Sequence, residues 1–278
     1  MKKLKKYNSK NKTLIFFSLL FVLLLTSCED VVTLDLVEPE PRIVIDAEIR
    51  WDKETSGNVQ VIKISKMAPY YNTNVPKVSG ANVKVRNSNG DVFIFTETEA
   101  GSYSCNNFVP ILNMDYTLDV EAEGKKFSAT EKLTSVSPIK KIEQGYKPSS
   151  TGPDIPELAF YYDDPADQAN YYLTTYKSIT NFRYFDINSD ELTNGNELNN
   201  KISGDELKPG ISIEITHRGI SKNFYNYMNL IFEASGSNPF ATTPGNIRGN
   251  IVNTTDPKDF ALGYFRLCEA NYVTYTMK

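Results

Sequence analysis

Histidine and cysteine are scarce in this chain of 278 residues, which has one histidine, His217, and three cysteines. Such a small number of ligands excludes a zinc site of ordinary composition. A Ser-His-Asp or Cys-His catalytic site would have to use His217, and the sequence lacks the Gly-x-Ser-x-Gly motif of a nucleophile elbow. His217 follows an alternating segment and precedes Arg218 and Gly219, so we expect an exposed residue at a strand end. The sequence therefore predicts no catalytic residues.

The amino-terminal segment has a basic end and an apolar run that is too short to span a bilayer. Residues 1–12 contain six lysines and no acidic residue, and residues 14–25 are apolar except for Ser18. About 20 apolar residues are needed to cross a membrane, so we favour a cleaved secretory signal over an uncleaved anchor helix. Residues 25–28, Leu-Thr-Ser-Cys, resemble the lipobox of bacterial lipoproteins. The resemblance implies a signal peptide over residues 1–27 and an anchor of diacylglycerol and an acyl chain, such as palmitate, on Cys28.

Removal of that leader makes the remaining chain acidic. The leader holds six of the 30 basic residues and none of the 34 acidic residues, which leaves a net charge of 24 − 34 = −10. A surface of that charge repels nucleic acid, and we expect no nucleic-acid partner. Residues 28–41 are predicted to be a lipidated tether. Glu29 and Asp30 in it resemble the signal that exports Bacteroidota lipoproteins to the outer face of the outer membrane, although an ordinary solvated tether has the same pattern.

Two cysteines remain beyond the lipobox, Cys105 and Cys268. An oxidising compartment would permit a disulfide between them. Both lie among apolar or strand-like neighbours, and a free cysteine often behaves as a small buried hydrophobe. We favour two buried thiols and keep the bridge as the alternative.

Residues 42–137 alternate between apolar and polar side chains with a period of two. Ile43, Ile45, Ala47 and Ile49 share one strand face, while the next strand carries Ile64 and either Val61 or Ile62. An Asn-Gly pair at residues 89–90 predicts a hairpin turn. About seven short strands with regular turns indicate an immunoglobulin-like or transthyretin-like β-sandwich.

Residues 138–278 are predicted to form a β-rich domain with one amphipathic helix, after a boundary near Pro138. The segments at residues 158–162, 170–176, 211–216 and 260–275 favour strands. Ser221 is a candidate N-cap, and Phe224, Tyr227, Met228 and Ile231 follow at helical spacing before Gly236. The predicted fold class is therefore mainly β throughout.

Several blocks resemble the Bacteroidota outer-membrane lipoprotein family of unknown function called domain of unknown function 4249. They are Cys28 with its acids, the hairpin region 80–103 (which also resembles the carboxypeptidase-regulatory sandwich), residues 163–167 before 170–172, and the closing segments 238–240, 244–247, 249–251 and 262–265. The resemblance implies a non-enzymatic, surface-exposed lipoprotein that serves as a binding or accessory subunit of a TonB-dependent receptor or another outer-membrane β-barrel complex. It implies no catalytic residue and no cofactor besides the lipid. The alternative is a glycan- or calcium-binding lipoprotein that captures nutrients.

Two segments remain as candidate sites. Asp186, Asn188, Asp190 and Glu197 match the oxygen ligands at positions 1, 3, 5 and 12 of a calcium loop, but position 6 lacks the glycine that the sharp turn requires. We therefore favour a polar surface turn there and keep calcium as the weaker alternative. Tyr70 and Tyr71 lie between two predicted strands and are the expected contact with a ligand or partner, since tyrosine combines an apolar ring with a hydroxyl.

Overall fold

The fold of residues 41–69, 74–178, 182–236 and 247–278 is described here from a computed structural model. This part of the chain is mainly β, as predicted, and it belongs to one compact unit that spans residues 41–278. Its elements in chain order are β1 (Ile43–Asp52), β2 (Gln60–Lys66), β3 (Asn82–Asn87), β4 (Val92–Glu99), β5 (Ser102–Cys105), β6 (Asp115–Ala122), β7 (Lys125–Lys132), β8 (Lys141–Lys147), β9 (Ile155–Asp163), β10 (Tyr171–Ser178), β11 (Arg183–Ser189), β12 (Glu197–Ser203), β13 (Ser212–Ile220), α1 (Lys222–Ser235), β14 (Val252–Asn253) and β15 (Leu262–Thr276).

Strand β1 confirms the alternation that the sequence predicts. Its residues Ile43, Ile45, Ala47 and Ile49 are buried, and the residues between them are exposed or partly exposed. Strand β2 pairs with it and buries Ile62 and Ile64 while Val61 faces outward, which decides between the two faces left open above. Burial of one face of each strand is what fixes the pairing register, because a slip of one residue would expose every isoleucine.

Strand β4 carries the sheet from one layer of a sandwich to the other. Its first half pairs with β3 and its second half with β5, and the register shifts between Glu97 and Glu99. Such a bulge bends a strand and increases its twist. The apolar faces of β1, β2 and β5 consequently pack in one core with those of β3, β6 and β7.

Strand β15 joins the beginning of the chain to its end. It pairs in parallel with β1 and antiparallel with β13, within a sheet whose strand order is β11-β10-β13-β15-β1-β2-β5-β4-β3-β6-β7-β14. Phe265 and Leu267 of β15 lie in the core of the first sandwich, although they come from the carboxyl-terminal part of the sequence. The proposed division at residues 137 and 138 stays a prediction, with β15 as a strand that contributes on both sides of it.

A second core lies between strands β10 and β13 and a sheet of three strands in the order β12-β9-β8. Aromatic side chains fill it: Phe160, Tyr162, Tyr172 and Tyr176 are fully buried. Large rings suit such a layer because each removes an extensive apolar surface from water.

Helix α1 covers the other face of this part of the large sheet. The Ser221 hydroxyl accepts a hydrogen bond from the backbone N–H of Phe224, which confirms the predicted N-cap, and the helix ends before Gly236 as expected. Its apolar face packs on Tyr171, Leu173 and Tyr264. Across the described ranges, no helix combines the length and the apolar character that a membrane crossing requires.

Candidate functional site

A cleft of about 330 Å³ opens beside helix α1, on the face of the sheet opposite the aromatic core. We call it the helix cleft. The strand register places its floor residues side by side, because Glu48 lies opposite Arg266 and Arg218 lies opposite Leu173. Its lining consists of Val44, Asp46, Glu48, Leu173, Thr175, Arg183, Phe185, Arg218, Phe224, Tyr227, Met228, Gly263, Tyr264 and Arg266.

The position of helix α1 against this cleft is set at its first turn. The Ser221 hydroxyl donates a hydrogen bond to Glu131 in β7 at 2.9 Å, and the hydroxyl of Tyr264 approaches the same carboxylate oxygen at 3.3 Å. The rings of Phe224 and Tyr227 both lie 4.8 Å from the ring of Tyr264, between centroids. These contacts fix the wall of the cleft to the strand that forms its floor.

Charged side chains alternate in sign along the floor. Glu48 lies between two guanidinium groups, with its Oε1 at 3.2 Å from Arg218 Nε and its Oε2 at 3.4 Å from Arg266 Nη2. Arg266 Nη1 also pairs with Asp46 Oδ1 at 2.9 Å. The Arg218 side chain is 9% exposed and donates from Nη1 to the Thr175 hydroxyl, whereas its Nε makes no hydrogen bond.

The pKa of Glu48 reflects two opposing effects. Burial raises the pKa of this carboxyl, but the positive charges of Arg266, Arg218 and Arg50 more than offset that effect and lower it below the ordinary value. For Arg266, burial lowers the pKa, while the negative charges of Glu48 and Asp46 raise it to a net increase. Both directions keep the ion pair between Glu48 and Arg266 charged at neutral pH.

His217 is fully buried in the middle of β13, so the expectation of an exposed strand-end residue is wrong. Alternation places it on the same face as Ile213 and Ile215, inside the aromatic core. Its ring centroid lies 4.4 Å from that of Tyr162 and 5.0 Å from that of Tyr172, and its Nδ1 is 3.0 Å from the Thr174 hydroxyl. Burial, together with the charge of Arg218, lowers the pKa of His217 to about 3. The histidine is therefore a neutral core residue.

The calcium candidate residues are held by separate partners. Asp186 accepts hydrogen bonds from the side-chain amides of Asn188 and Asn200, and Asp190 accepts one from the backbone of Asn170. Glu197 forms an ion pair with Lys140. In the ranges with described side chains, no group of three or more histidine, cysteine, aspartate or glutamate residues is arranged to hold a metal ion.

Both cysteines are buried and free, as the favoured interpretation expects. Cys105 donates to the side chain of Asn107, and Cys268 lies behind the helix cleft with its Sγ at 3.9 Å from Glu48 Oε1. Burial, with the negative charge of Glu48 as a further cause, raises the pKa of Cys268 to about 12. This thiol therefore stays protonated at neutral pH and is a poor nucleophile.

The other candidate residues lie outside the described part of the chain. These are Cys28 with its signal segment, and the pair Tyr70 and Tyr71. The predictions made for them stay predictions.

The sequence interpretation missed the helix cleft, although two of its residues carry a signal. Arg266 interrupts an apolar strand between Phe265 and Leu267, and a charge in that position requires a partner. Glu48 occupies a polar position of β1 opposite the buried isoleucines. Nothing local connects the two, because the partners are 266 − 48 = 218 residues apart and meet only through the parallel pairing of β1 with β15.

The chain belongs to the family described as Domain of unknown function (DUF4249), whose profile matches residues 29–271. This match confirms the family of unknown function that the sequence blocks resemble, while the Bacteroidota origin and the lipoprotein character stay predictions. No curated protein matches the sequence significantly.

Solved structures with similarity to this chain include domains of three chicken proteins. A segment of two fibronectin type III domains of tenascin is 14% identical, with 64% of this chain and 90% of that chain covered and a TM-score of 0.21. The FN1–FN3 domains of CNTN1 are also 14% identical, with coverage of 64% and 59% and a TM-score of 0.27. The selenomethionine-substituted interferon gamma receptor alpha chain is 11% identical, with coverage of 65% and 89% and a TM-score of 0.20.

Proposed function

We propose that this protein is a lipid-anchored lipoprotein on the outer face of the outer membrane, and that it binds other molecules without catalysing a reaction. In this proposal it is an accessory subunit of a TonB-dependent receptor or of another outer-membrane β-barrel complex. The anchoring part is supported by residues 25–28, whose cysteine would carry the lipid. The binding part is supported by the outward face of strands β3 and β4.

That face carries aliphatic side chains in water. Val92 and Ile94 are 50% and 66% exposed, and they point away from the core because Phe93 and Phe95 point into it. Cations flank them on the neighbouring strand, with Arg86 opposite Val92 and Lys84 opposite Ile94. Adjacent exposed aliphatic residues with a charged border are typical of a surface that contacts another protein. This exposed face of the hairpin is the observation that carries the proposal.

The reactive side chains of the described chain favour binding over catalysis. His217 is enclosed by aromatic rings, and Cys105 and Cys268 are buried. A general base or a nucleophile has to reach the substrate, and these three side chains are buried away from solvent.

The test is affinity purification of the full chain from its own cells after extraction with a mild detergent. A tag follows Lys278, joined by a flexible linker because Gln144 holds the backbone of that residue on strand β8. We expect an outer-membrane β-barrel to be recovered in a reproducible ratio, and protease treatment of intact cells to digest the protein. Recovery of the lipoprotein alone, or protection from protease, would contradict the accessory role at the surface.

Two matched variants locate the contact. Ile94→Glu places a charge on the hairpin face, and Leu192→Glu makes the same kind of change at a 98% exposed residue in the loop between β11 and β12. We expect Ile94→Glu to reduce recovery of the β-barrel at least tenfold and Leu192→Glu to leave it unchanged. Equal recovery of the β-barrel with both variants would show that the hairpin face is not the contact. The accessory role would then be supported only by co-purification with the unaltered chain.

A further inference from the structure

The charges and the apolar walls of the helix cleft converge on one kind of ligand. We propose that the helix cleft binds a small organic carboxylate that carries a single negative charge on an aromatic or branched apolar body. This site is distinct from the hairpin face on β3 and β4, and the inference does not depend on the accessory role.

The charge balance of the cleft is the first observation. Three guanidinium groups, those of Arg183, Arg218 and Arg266, face two carboxylates, those of Asp46 and Glu48, which leaves one positive charge. The remainder of the chain is acidic, since 34 acidic residues exceed 30 basic residues even with the leader included. A local excess of positive charge in a cleft of an acidic protein favours one compensating anion.

The pairing inside the cleft shows where that anion would go. Both carboxylates are already engaged, because Glu48 lies between Arg218 and Arg266, and Arg266 also holds Asp46. Arg183 is the remaining cation of the cleft. Within the described ranges it forms no ion pair, and its guanidinium carbon lies 4.7 Å from the centroid of the Phe185 ring. A guanidinium group matches a carboxylate with two parallel hydrogen bonds. The carboxylate would therefore bind at Arg183 near the mouth.

The walls define the remainder of the ligand. The apolar part of the lining includes Phe185, Leu173, Tyr227 and Met228. Aromatic rings and a methionine accommodate a flat or branched apolar group, and methionine adapts its shape to the group that it contacts. The volume of about 330 Å³ is at the lower end of small-ligand clefts, roughly 300–1,000 Å³. A compact ligand with one ring or one branched chain fits these dimensions.

A metal ion or a polyanion fits less well. A metal ion would compete with guanidinium groups that already occupy both carboxylates. A group with several negative charges would meet only one unpaired cation, together with the repulsion of Asp46 and Glu48. A ligand with a single carboxylate neutralises the one unpaired positive charge of the cleft and adds no further negative charge.

The test compares carboxylates with their neutral amides. The full chain, purified in mild detergent, is titrated with phenylacetate, 3-phenylpropionate and 4-methylpentanoate and with the three corresponding amides, and titration into detergent alone is subtracted. We expect at least one carboxylate to bind at least tenfold more tightly than its amide, since the amide keeps the body and loses the charge. Acetate, which has the charge and no body, should bind at least tenfold more weakly than that carboxylate.

Two variants with opposite expected effects on carboxylate binding then test whether the ligand binds in the helix cleft. Arg183→Gln removes the unpaired cation and should weaken carboxylate binding at least fivefold, while Asp46→Asn removes one of the two acids of the cleft and should strengthen it. Arg86→Gln, an arginine on the hairpin face, is the control and should bind as the unaltered protein does. All three positions are partly or fully exposed, and thermal unfolding verifies that each variant folds.

The possible results distinguish the ligand class from the location of its site. Binding that shows no preference for carboxylates over amides, or no binding by any of the six probes up to about 10 mM, would overturn the proposal. Carboxylate binding that is unchanged in Arg183→Gln would overturn the assignment to the helix cleft. Either result leaves the recovery of a β-barrel partner unaffected, so the two proposals fail separately.

Discussion

The carboxylate of Glu131 in strand β7 accepts a hydrogen bond from the hydroxyl of Ser221, the residue that caps helix α1. A residue of the first sandwich thereby fixes the first turn of a helix that packs against the other part of the large sheet. The same hydroxyl accepts a bond from the backbone of Phe224, so one side chain both caps the helix and holds it in place.

Replacement of Ser221 by alanine removes both interactions at once. We expect Ser221→Ala to lower the free energy of unfolding by about 1–2 kcal/mol, because the cap is lost and the buried Glu131 loses a donor. Urea unfolding monitored by circular dichroism measures the change. Ser235→Ala at the exposed end of the same helix is the control and should cost less than about 0.5 kcal/mol. Equal losses at both ends would show that neither the cap nor the contact with Glu131 contributes to stability.

His217 should make the stability of this protein depend on pH. Its pKa is lowered to about 3 in the folded chain, against 6.5 for an ordinary histidine, so the unfolded chain binds a proton first as the pH falls. This contribution to stability is complete above pH 6.5, decreases by about 1.4 kcal/mol per pH unit below it, and levels off near pH 3. His217→Asn keeps a polar partner for Thr174 and does not titrate. Between pH 7.5 and pH 5, the free energy of unfolding obtained from urea titrations should fall by about 2 kcal/mol more in the unaltered protein than in the variant. Parallel changes would contradict the burial of His217.

Gly263 should not tolerate a side chain. Its φ of +95° is unfavourable for other residues, and a Cβ at this position would collide with the backbone carbonyl of Ile45 on the paired strand. Gly90, in the β3–β4 turn, has nearly the same φ of +96° but open space around it. We expect Gly90→Ala to cost about 1–2 kcal/mol from the backbone alone, and Gly263→Ala to cost about 1–3 kcal/mol more. Thermal and urea unfolding of the two variants separate the collision from the backbone strain, and equal costs would contradict the close approach of β1 and β15.

The two buried cysteines should be unreactive in the folded protein. In a Cys28→Ala variant, Cys105 and Cys268 are the remaining thiols, and we expect neither to be alkylated by iodoacetamide at pH 8. Burial and the raised pKa of Cys268 give the physical reason. In guanidinium chloride without a reductant, mass spectrometry should find both thiols labelled. Absence of labelling in the unfolded chain would show that the two cysteines form a disulfide.

Local pattern is enough to predict the parts of this fold that repeat over a few residues. The buried isoleucines of β1 and the capped helix α1 follow from periods of two and about 3.6, which neighbouring residues establish among themselves. The sequences of β8, β11 and β12 mix polar and apolar residues with no clean alternation. All three are edge strands, and the sequence pattern did not predict them. The exposed position predicted for His217 was wrong because β13 continues beyond Thr216, so that His217 shares the buried face of Ile213 and Ile215.

The helix cleft could not be predicted from local sequence pattern. Its floor depends on Glu48 and Arg266, and no rule of spacing connects residues that far apart. The parallel pairing that brings them together arises from the burial of β1 and β15 against a common core, which is a property of the whole chain.

The pairing of β1 with β15 also determines when, during synthesis, the first sandwich can complete its core. Ile45 and Ile49 emerge from the ribosome early, but their core includes Phe265 and Leu267, which emerge more than 200 residues later. Contacts between residues so distant in the sequence slow folding. The core of the first sandwich therefore stays incomplete until β15 has been synthesised. For the export proposed above, this delay would keep the chain unfolded while it crosses the membrane, because the first core stays incomplete until β15 is available.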